Sequence, residues 1–246
     1  MTSPYLSLVA PCLNEEKNVV ELCERFLSVA HAKKISVEIV FVDDGSTDNT
    51  WMILGKLQDQ YGDEVRLVRH STNRGIPQGW ISGVEGSTGE VVCLIDSDLQ
   101  NPPEAVFDLL AAYDPIRVDV VRGVRRPSAK QPKSRLFFSR SLNFLLNGIF
   151  GMNSEDNKSG FVLANRDTMM QLVHHQGHYN HYQTFIGVAA HTKLMRVEEV
   201  PTLFHDRRAG VSFLSGRSMR VIREVYQDIP NACKEFGWRF GRKDDK

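Results

Sequence analysis

Glu90-Val91-Val92-Cys93-Leu94-Ile95-Asp96-Ser97-Asp98-Leu99-Gln100-Asn101-Pro102-Pro103-Glu104 joins an apolar run to an acidic turn and a pair of prolines. Val91 to Ile95, rich in β-branched residues, predicts a buried strand. Pro102 and Pro103 predict the opening of a helix, with Asn101 as its cap. Asp96 and Asp98 then stand at the carboxyl end of a strand, where open α/β sheets hold ligands. With the amide oxygen of Gln100 they form a hard oxygen set suited to Mg²⁺ or Mn²⁺. Read in isolation, the same residues also describe a solvated turn.

The residues upstream repeat the pattern. Tyr5 to Ala10 predicts a strand that ends at Pro11-Cys12-Leu13-Asn14-Glu15-Glu16. Asn14 is placed to cap a helix from Glu15 to about His31, with glutamates in its first turn. Val37 to Val42 predicts a second strand, nearly all apolar as in a parallel sheet covered on both faces. It ends at Asp43-Asp44-Gly45-Ser46-Thr47-Asp48, and a helix through about Tyr61 follows. Val65 to Arg69 predicts a third strand and Gly75 to Gly86 a glycine-rich helix. This βαβαβ alternation predicts a doubly wound, Rossmann-like, mostly parallel sheet. Asp43 and Asp44 could bind ribose hydroxyls or the imide N–H of a uracil; equally, Asp, Gly, Ser and Thr here form a capped turn.

Downstream, a helix from Pro103 to about Ala112 leads to a strand over Val118 to Val121. From Val120 to Ser154 there is no Asp or Glu, while Arg122, Arg125, Arg126, Lys130, Lys133, Arg135 and Arg140 fall in this span. Pro127 and Pro132 mark its first part as a loop. Ser134 to Phe150 reads as an apolar helix carrying Leu136, Phe137, Phe138, Leu142, Phe144, Leu146 and Phe150. Basic residues followed by bulky apolar ones suit either an interfacial helix on an anionic membrane or a core helix beside a solvated basic loop. Ser159 to Ala164 predicts a strand, Tyr179 to His191 a helix and Leu194 to Val200 a strand ending at Pro201. A polar loop spans Phe204 to Phe213, Ser218 to Phe236 is a closing helix, and Arg242 to Lys246 a frayed tail. The histidines between His174 and His191 have no acidic or cysteine partners that would complete a metal site.

The chain has 246 residues and a formal net charge of zero. That length suits one α/β domain with a sizeable core. Balanced charge gives no electrostatic case for nucleic acid. No signal pattern opens the sequence, and no stretch approaches the length of a bilayer span; Asn143, Asn147 and Gly148 interrupt the most apolar one. Cys12, Cys23, Cys93 and Cys233 show no metal-ligand spacing, which points to a reducing, cytoplasmic setting.

Pro11-Cys12-Leu13-Asn14-Glu15, Asp43 to Asp48, Asn73-Arg74-Gly75 and Asp96 to Glu104 follow one another at predicted strand ends. That ordered set resembles the inverting glycosyltransferases of family 2, which have the GT-A fold. Within these it is most similar to the polyprenyl-phosphate sugar synthases, of which dolichyl-phosphate mannose synthase is the type. The resemblance continues through Gly123-Val124-Arg125, Asp156 with Ser159-Gly160-Phe161, Val200-Pro201, and Asp206-Arg207 with Gly210 and Ser212. The chain departs from the family's usual residues at Leu13, Trp80, Val162 and Phe213.

The resemblance implies a single GT-A domain over residues 1–246 with C-terminal helical elements. Residues 1–122 would be the nucleotide-sugar-binding half and 123–246 the acceptor-binding half. Pro11, Leu13, Glu15, Val42 and Asp44 would line the nucleotide pocket, with Ser97 beside the donor. Asp96, Asp98 and Gln100 would hold Mg²⁺ or Mn²⁺, and Arg125 and Arg207 would contact phosphates. The implied reaction moves a sugar from a nucleotide-diphosphate donor to a polyprenyl phosphate. It would take place at the inner face of a membrane, through surface contact or a membrane-protein partner. Transfer to a hydroxyl of a saccharide or small molecule is the alternative, and a noncatalytic nucleotide-sugar-binding subunit a third. Asp156 bears on the first two: a hydroxyl acceptor needs a general base, whereas a phosphate is already anionic. Asp156 also reads as a loop aspartate bonded to nearby backbone N–H groups.

Overall fold

The computed structural model describes residues 3–125, 133–205 and 218–238. Among the described residues seven strands form one sheet: β1 (Leu6–Cys12), β2 (Val37–Asp43), β3 (Val65–Arg69), β4 (Val91–Leu94), β5 (Val120–Arg125), β6 (Val162–Asn165) and β7 (Val197–Thr202), in the spatial order β3-β2-β1-β4-β6-β5-β7. β3, β2, β1 and β4 run parallel, as the alternation of strands and helices predicts. β6 enters antiparallel between β4 and β5, and β5 then pairs in parallel with β7. The mostly parallel α/β fold expected from the sequence is therefore present.

The helices are α1 (Val19–Lys33), α2 (Thr50–Tyr61), α3 (Ile76–Gly86), α4 (Val106–Ala112), α5 (Lys133–Phe150), α6 (Arg166–Val173), α7 (Ile186–Thr192) and α8 (Ser218–Phe236). Alternation along the strands divides the core into two layers. Leu6, Leu8 and Ala10 of β1 pack with Leu22, Phe26 and Phe107 from α1 and α4. Val9 of the same strand packs in the opposite layer with Val84, Met169 and Ile186 from α3, α6 and α7. Burial on both faces explains why β1, β2 and β4 lack a polar alternation.

Several elements differ from expectation. α1 begins at Val19, with Asn18 rather than Asn14 at its cap position. A 3₁₀ turn over Pro103–Ala105 precedes α4; Pro102 occupies its cap position, and no side-chain cap bond forms, so Asn101 does not cap it. The strand expected over Val118 to Val121 runs from Val120 to Arg125. There an arginine, Arg122, is buried within the strand and breaks the apolar pattern that sequence reading follows. The helix expected from Tyr179 to His191 resolves into a 3₁₀ turn over Tyr182–Thr184 and the short α7. In α5, Leu142, Leu146 and Phe150 are core residues, as the core-helix alternative has it, while Phe144 is 82% exposed. Among the described residues no helix is long and apolar enough to cross a membrane.

α3 lies unusually close to the sheet. A Cβ placed on Gly83 would stand 2.3 Å from Val9 Cγ1 and 3.1 Å from Val42 Cγ2. One on Gly79 would stand 2.9 Å from Pro11 Cβ. The glycines that make this helix look weak in the sequence are what allow its contact with β1 and β2. Gly83→Ala should therefore lower stability by about 1–3 kcal/mol through overpacking, read as a shift in the urea midpoint with an unchanged slope.

Candidate active site

Three parallel strands, β2, β1 and β4, end at one edge of the sheet. Asp43 pairs with Cys12 in register, and the Asp44 N–H donates to the Cys12 carbonyl at 2.9 Å. The next carboxylate pair is tied to the same edge. The Ile95 N–H donates to the Val9 carbonyl at 3.0 Å, and the Ser97 hydroxyl donates to the Pro11 carbonyl at 2.8 Å. Ser97, buried between Asp96 and Asp98, is thus the stitch between the first loop and the acidic loop.

Asn14 has a different task from the helix cap expected of it. Its backbone is left-handed, with φ 57°, a conformation that asparagine tolerates. Its side-chain oxygen accepts from the N–H groups of Thr47 and Asp48 at 2.8 and 3.3 Å. Asn14 fastens the loop after β1 to the loop after β2. Glu15 is buried alongside: its N–H donates to Thr50 Oγ1 at 2.9 Å, and its carboxylate accepts from Asn18 Nδ2 at 2.5 Å.

Asp43, the last residue of β2, and Asp44 after it are both buried. Asp43 accepts from the Ser46 N–H at 3.1 Å and lies 3.3 Å from Arg69 Nε, so it builds the turn. Asp44 bonds His70 Nδ1 at 2.7 Å and accepts from the N–H groups of Arg74 and Gly75 at 2.9 and 2.8 Å. Pro11 and Leu13 are half-buried at the same edge. Val42 is fully buried below it, toward α3.

In the acidic loop, Asp96 is exposed and Asp98 and Gln100 are half-buried. Asp98 Oδ1 accepts from the Gln100 N–H at 3.1 Å. Between them Leu99 adopts φ 60° while its side chain is anchored in the core at 3% exposure. A left-handed leucine is strained by roughly 1–3 kcal/mol, and such strain concentrates at functional sites. Gln100 is also joined to the segment after β7. The His205 N–H donates to the Gln100 carbonyl at 2.8 Å, and Gln100 Nε2 donates to the His205 carbonyl at 3.3 Å. Sequence reading gave His205 no role; its place in a polar loop just beyond Pro201 was the available signal.

Among the described residues, no three His, Cys, Asp or Glu side chains converge on one point. The acidic loop instead offers two carboxylates and an amide. That set fits a hard divalent cation, which commonly completes its shell with substrate phosphate oxygens and water.

Arg125 and Asp156 face each other. Arg125 Nε and Nη2 donate to Asp156 Oδ2 and Oδ1 at 2.5 and 2.7 Å, a bidentate pair. The Lys158 N–H adds a bond to Oδ1 at 3.1 Å. The Phe204 ring covers the guanidinium, with 5.0 Å from Cζ to its centroid. Burial alone would raise the Asp156 carboxyl, but the Arg125 bonds and charge, with the Lys158 N–H, outweigh it and hold the group below the usual carboxylate range.

Arg122, counted in the sequence as part of a positive field, is 1% exposed. It donates to Ser154 Oγ at 2.9 Å, Glu199 Oε1 at 3.2 Å and the Asp156 carbonyl at 2.8 Å. The asparagines of α5 hold the same loop: Asn143 Nδ2 donates to the Glu155 carbonyl at 2.6 Å and Asn147 Nδ2 to the Ser154 carbonyl at 3.0 Å. The acid-free span is therefore neutralised at Arg122 and Arg125 by acids distant in sequence. Arg126, Pro127, Lys130, Pro132, Asp206, Arg207, Gly210, Ser212 and Phe213 lie outside the described residues.

Two undecaprenyl-phosphate 4-deoxy-4-formamido-L-arabinose transferases are similar in sequence. The protein from Edwardsiella ictaluri (strain 93-146) is 29% identical over 211 residues, covering 86% of this chain and 63% of the relative. That from Sodalis glossinidius (strain morsitans) is 29% identical over 232 residues, covering 92% and 68%. The chain thus spans about two thirds of the length of these relatives. Among solved structures, glucosyl-3-phosphoglycerate synthase from Mycobacterium tuberculosis, in complex with Mn²⁺, UDP and glucosyl-3-phosphoglycerate, matches with a TM-score of 0.67 at 20% identity over 94% of this chain and 81% of the other. A mannosyltransferase from Pyrobaculum calidifontis, in complex with GDP-Man and Mn²⁺, matches with a TM-score of 0.68 at 18% identity over 96% and 66%. These likenesses agree on the fold. Residues 7–173 match the family described as Glycosyl transferase family 2, and the chain belongs to that family.

Proposed function

We propose that this glycosyltransferase is inverting and metal-dependent, and moves a sugar from a nucleotide diphosphate to a polyprenyl phosphate. Residues 1–122 hold the donor and residues 123–246 the acceptor. The observation that carries the acceptor class is the commitment of Asp156 to Arg125. Both its oxygens are taken up in a bidentate pair, and its proton affinity is depressed. A hydroxyl acceptor would need a base there, whereas an anionic phosphate oxygen needs none. The sequence relatives, which are named for transfer involving undecaprenyl phosphate, support the same choice.

In this reading the nucleoside sits over Pro11, Leu13, Glu15 and Asp44, above Val42, with Ser97 beside the donor. Asp96, Asp98 and Gln100 would hold Mg²⁺ or Mn²⁺, which supplies positive charge to the departing diphosphate. Arg125, braced through Nε and Nη2 by Asp156 and covered by Phe204, would contact phosphate oxygens, and Arg207 would serve the same end. The acceptor phosphate oxygen attacks the anomeric carbon from the face opposite the nucleotide. A C–O bond forms, the bond to the diphosphate breaks, and the nucleoside diphosphate leaves with the electron pair. Bracing Arg125 before the reaction avoids reorienting it as charge develops. A lipid acceptor places this work at the inner face of a membrane, by surface contact or through a membrane partner. The exposed Phe144 of α5 supports a contact there.

Asp98→Ala should abolish Mn²⁺-dependent nucleotide-sugar binding while far-UV circular dichroism stays native. Wild-type binding by this variant would remove Asp98 from the metal site. Asp156→Asn separates the acceptor classes. Loss of a base costs roughly 10²–10⁴-fold in rate, whereas loss of a brace on Arg125 should cost about tenfold or less. A several-hundredfold loss with unchanged donor binding would instead indicate a hydroxyl acceptor.

The same substitution has a pH signature. The folded-state pKa of Asp156 is depressed below the ordinary 3.8, so its pair with Arg125 contributes fully above that value. The contribution is lost as pH falls through the folded pKa. Acid unfolding below about pH 4 should therefore be less steep in Asp156→Asn than in wild type.

A further inference from the structure

Asp44 does not stand alone. His70 follows β3, is 6% exposed, and places Nδ1 2.7 Å from Asp44 Oδ1 and Nε2 2.9 Å from Ser82 Oγ on α3. Gln78 Nε2, one turn earlier on α3, donates to the same Ser82 hydroxyl at 3.3 Å. The hydrogen-bonding capacities of these groups fix the direction at the two ends of the chain. An ionised carboxylate only accepts, so Nδ1 of His70 carries the proton. Ser82 Oγ accepts from Gln78 Nε2, and its hydroxyl, with one proton and two lone pairs, bonds His70 Nε2 in either sense. The chain therefore runs from Gln78 Nε2–H to Ser82 Oγ, from Ser82 Oγ to His70 Nε2, and from His70 Nδ1–H to Asp44 Oδ1.

This wire settles what Asp44 can offer. A carboxylate has about four lone-pair positions. Among the described residues, Oδ1 receives His70 and the Arg74 N–H, and Oδ2 receives the Gly75 N–H. One position on Oδ2 is left. The carboxylate cannot rotate to present another without breaking three bonds at once.

We propose that His70 is a positioning residue of the nucleotide pocket: oriented by Ser82 and Gln78, it holds Asp44 so that one Oδ2 lone pair meets an N–H or O–H donor of the nucleoside. The proposal rests on the reading that Asp44 contacts the nucleotide. His70 itself touches no ligand; it acts through Asp44. The region around β3 and the start of α3, outside the catalytic loops, thereby becomes part of donor recognition. A chain carrying an apolar residue at this position would keep the Asp-Asp-Gly-Ser motif and yet hold its second aspartate less firmly.

The test is calorimetric titration of the full chain with UDP and with GDP, each with Mn²⁺, alongside thermal melts. Asn mimics the δ-nitrogen of histidine and Gln the ε-nitrogen. His70→Gln, which cannot reach Asp44 in the same way, should weaken binding of the preferred nucleotide about tenfold or more, the scale of a hydrogen bond to a charged group. His70→Asn should restore affinity to within about threefold of wild type, because it keeps a donor at the δ position. Ser82→Ala, which frees the imidazole to turn, should fall between the two. Asp44→Asn is the control for the underlying reading. If Asp44→Asn weakens binding while His70→Gln binds like wild type, the positioning role is overturned and the pocket stands. If Asn and Gln at position 70 are equally impaired, the effect is structural and the proposal is overturned. If Asp44→Asn leaves binding unchanged, or wild type binds neither nucleotide, the pocket itself is misassigned and the proposal falls with it.

Discussion

Parallel pairing of β1 with β2 on one side and β4 on the other is the constraint on which the rest depends. Strands paired this way deliver their carboxyl ends to one edge, and each of these three strands ends in a loop rich in aspartate, serine or asparagine. The loops do not repel one another because their polar groups are consumed in mutual bonds. Asn14 binds the second loop, Ser97 binds Pro11 near the end of β1, and Asp44 gathers the loop after β3. The sheet supplies position; the cross-loop bonds supply rigidity. Asp96, exposed at this edge, stands at the front of a preorganised surface rather than on a loose turn.

The second half of the chain uses a different device. Two arginines from one strand, Arg122 and Arg125, divide the work. Arg122 is buried and gathers Ser154, Glu199 and the Asp156 backbone. Arg125 takes the Asp156 side chain. A buried arginine is costly unless its partners are complete, and a pair broken on one side loses roughly 3–5 kcal/mol. Glu199 belongs to β7, so the network also ties the outermost parallel strand to the loop carrying Asp156.

How far the sequence could be read follows from the range of the interactions involved. β1, β2 and β4 were legible because an apolar run that stops at acidic turn residues is a local signal. The Asp-x-Asp loop was legible for the same reason. The start of α1 was missed because Asn14, a good cap by type, bonds a loop more than thirty positions away. β5 was displaced because a buried arginine looks like a surface residue until its partners are known. Of the positive field expected over Val120 to Ser154, Arg122 and Arg125 are neutralised in space by Glu199 and Asp156, which no count along the chain could show. The asparagines of α5 read as interruptions of an apolar helix, and in the fold they hold the loop before β6. His70 and His205 carried no local pattern, because their meaning lies in Asp44 and Gln100.

The antiparallel insertion of β6 has a consequence for the birth of the molecule. During synthesis β1 to β4 emerge first and can form a four-stranded parallel sheet with β3 at one edge and β4 at the other. Val92, Cys93 and Leu94 on that edge are completely buried in the finished fold. Their remaining neighbour, β6, leaves the ribosome only after β5, the basic span and the whole of α5. Through that interval the nascent chain carries a bare apolar strand with unpaired backbone groups, the kind of edge that recruits other strands. Protection of β4 by a chaperone, or fast synthesis through α5, would thus raise the yield of folded protein.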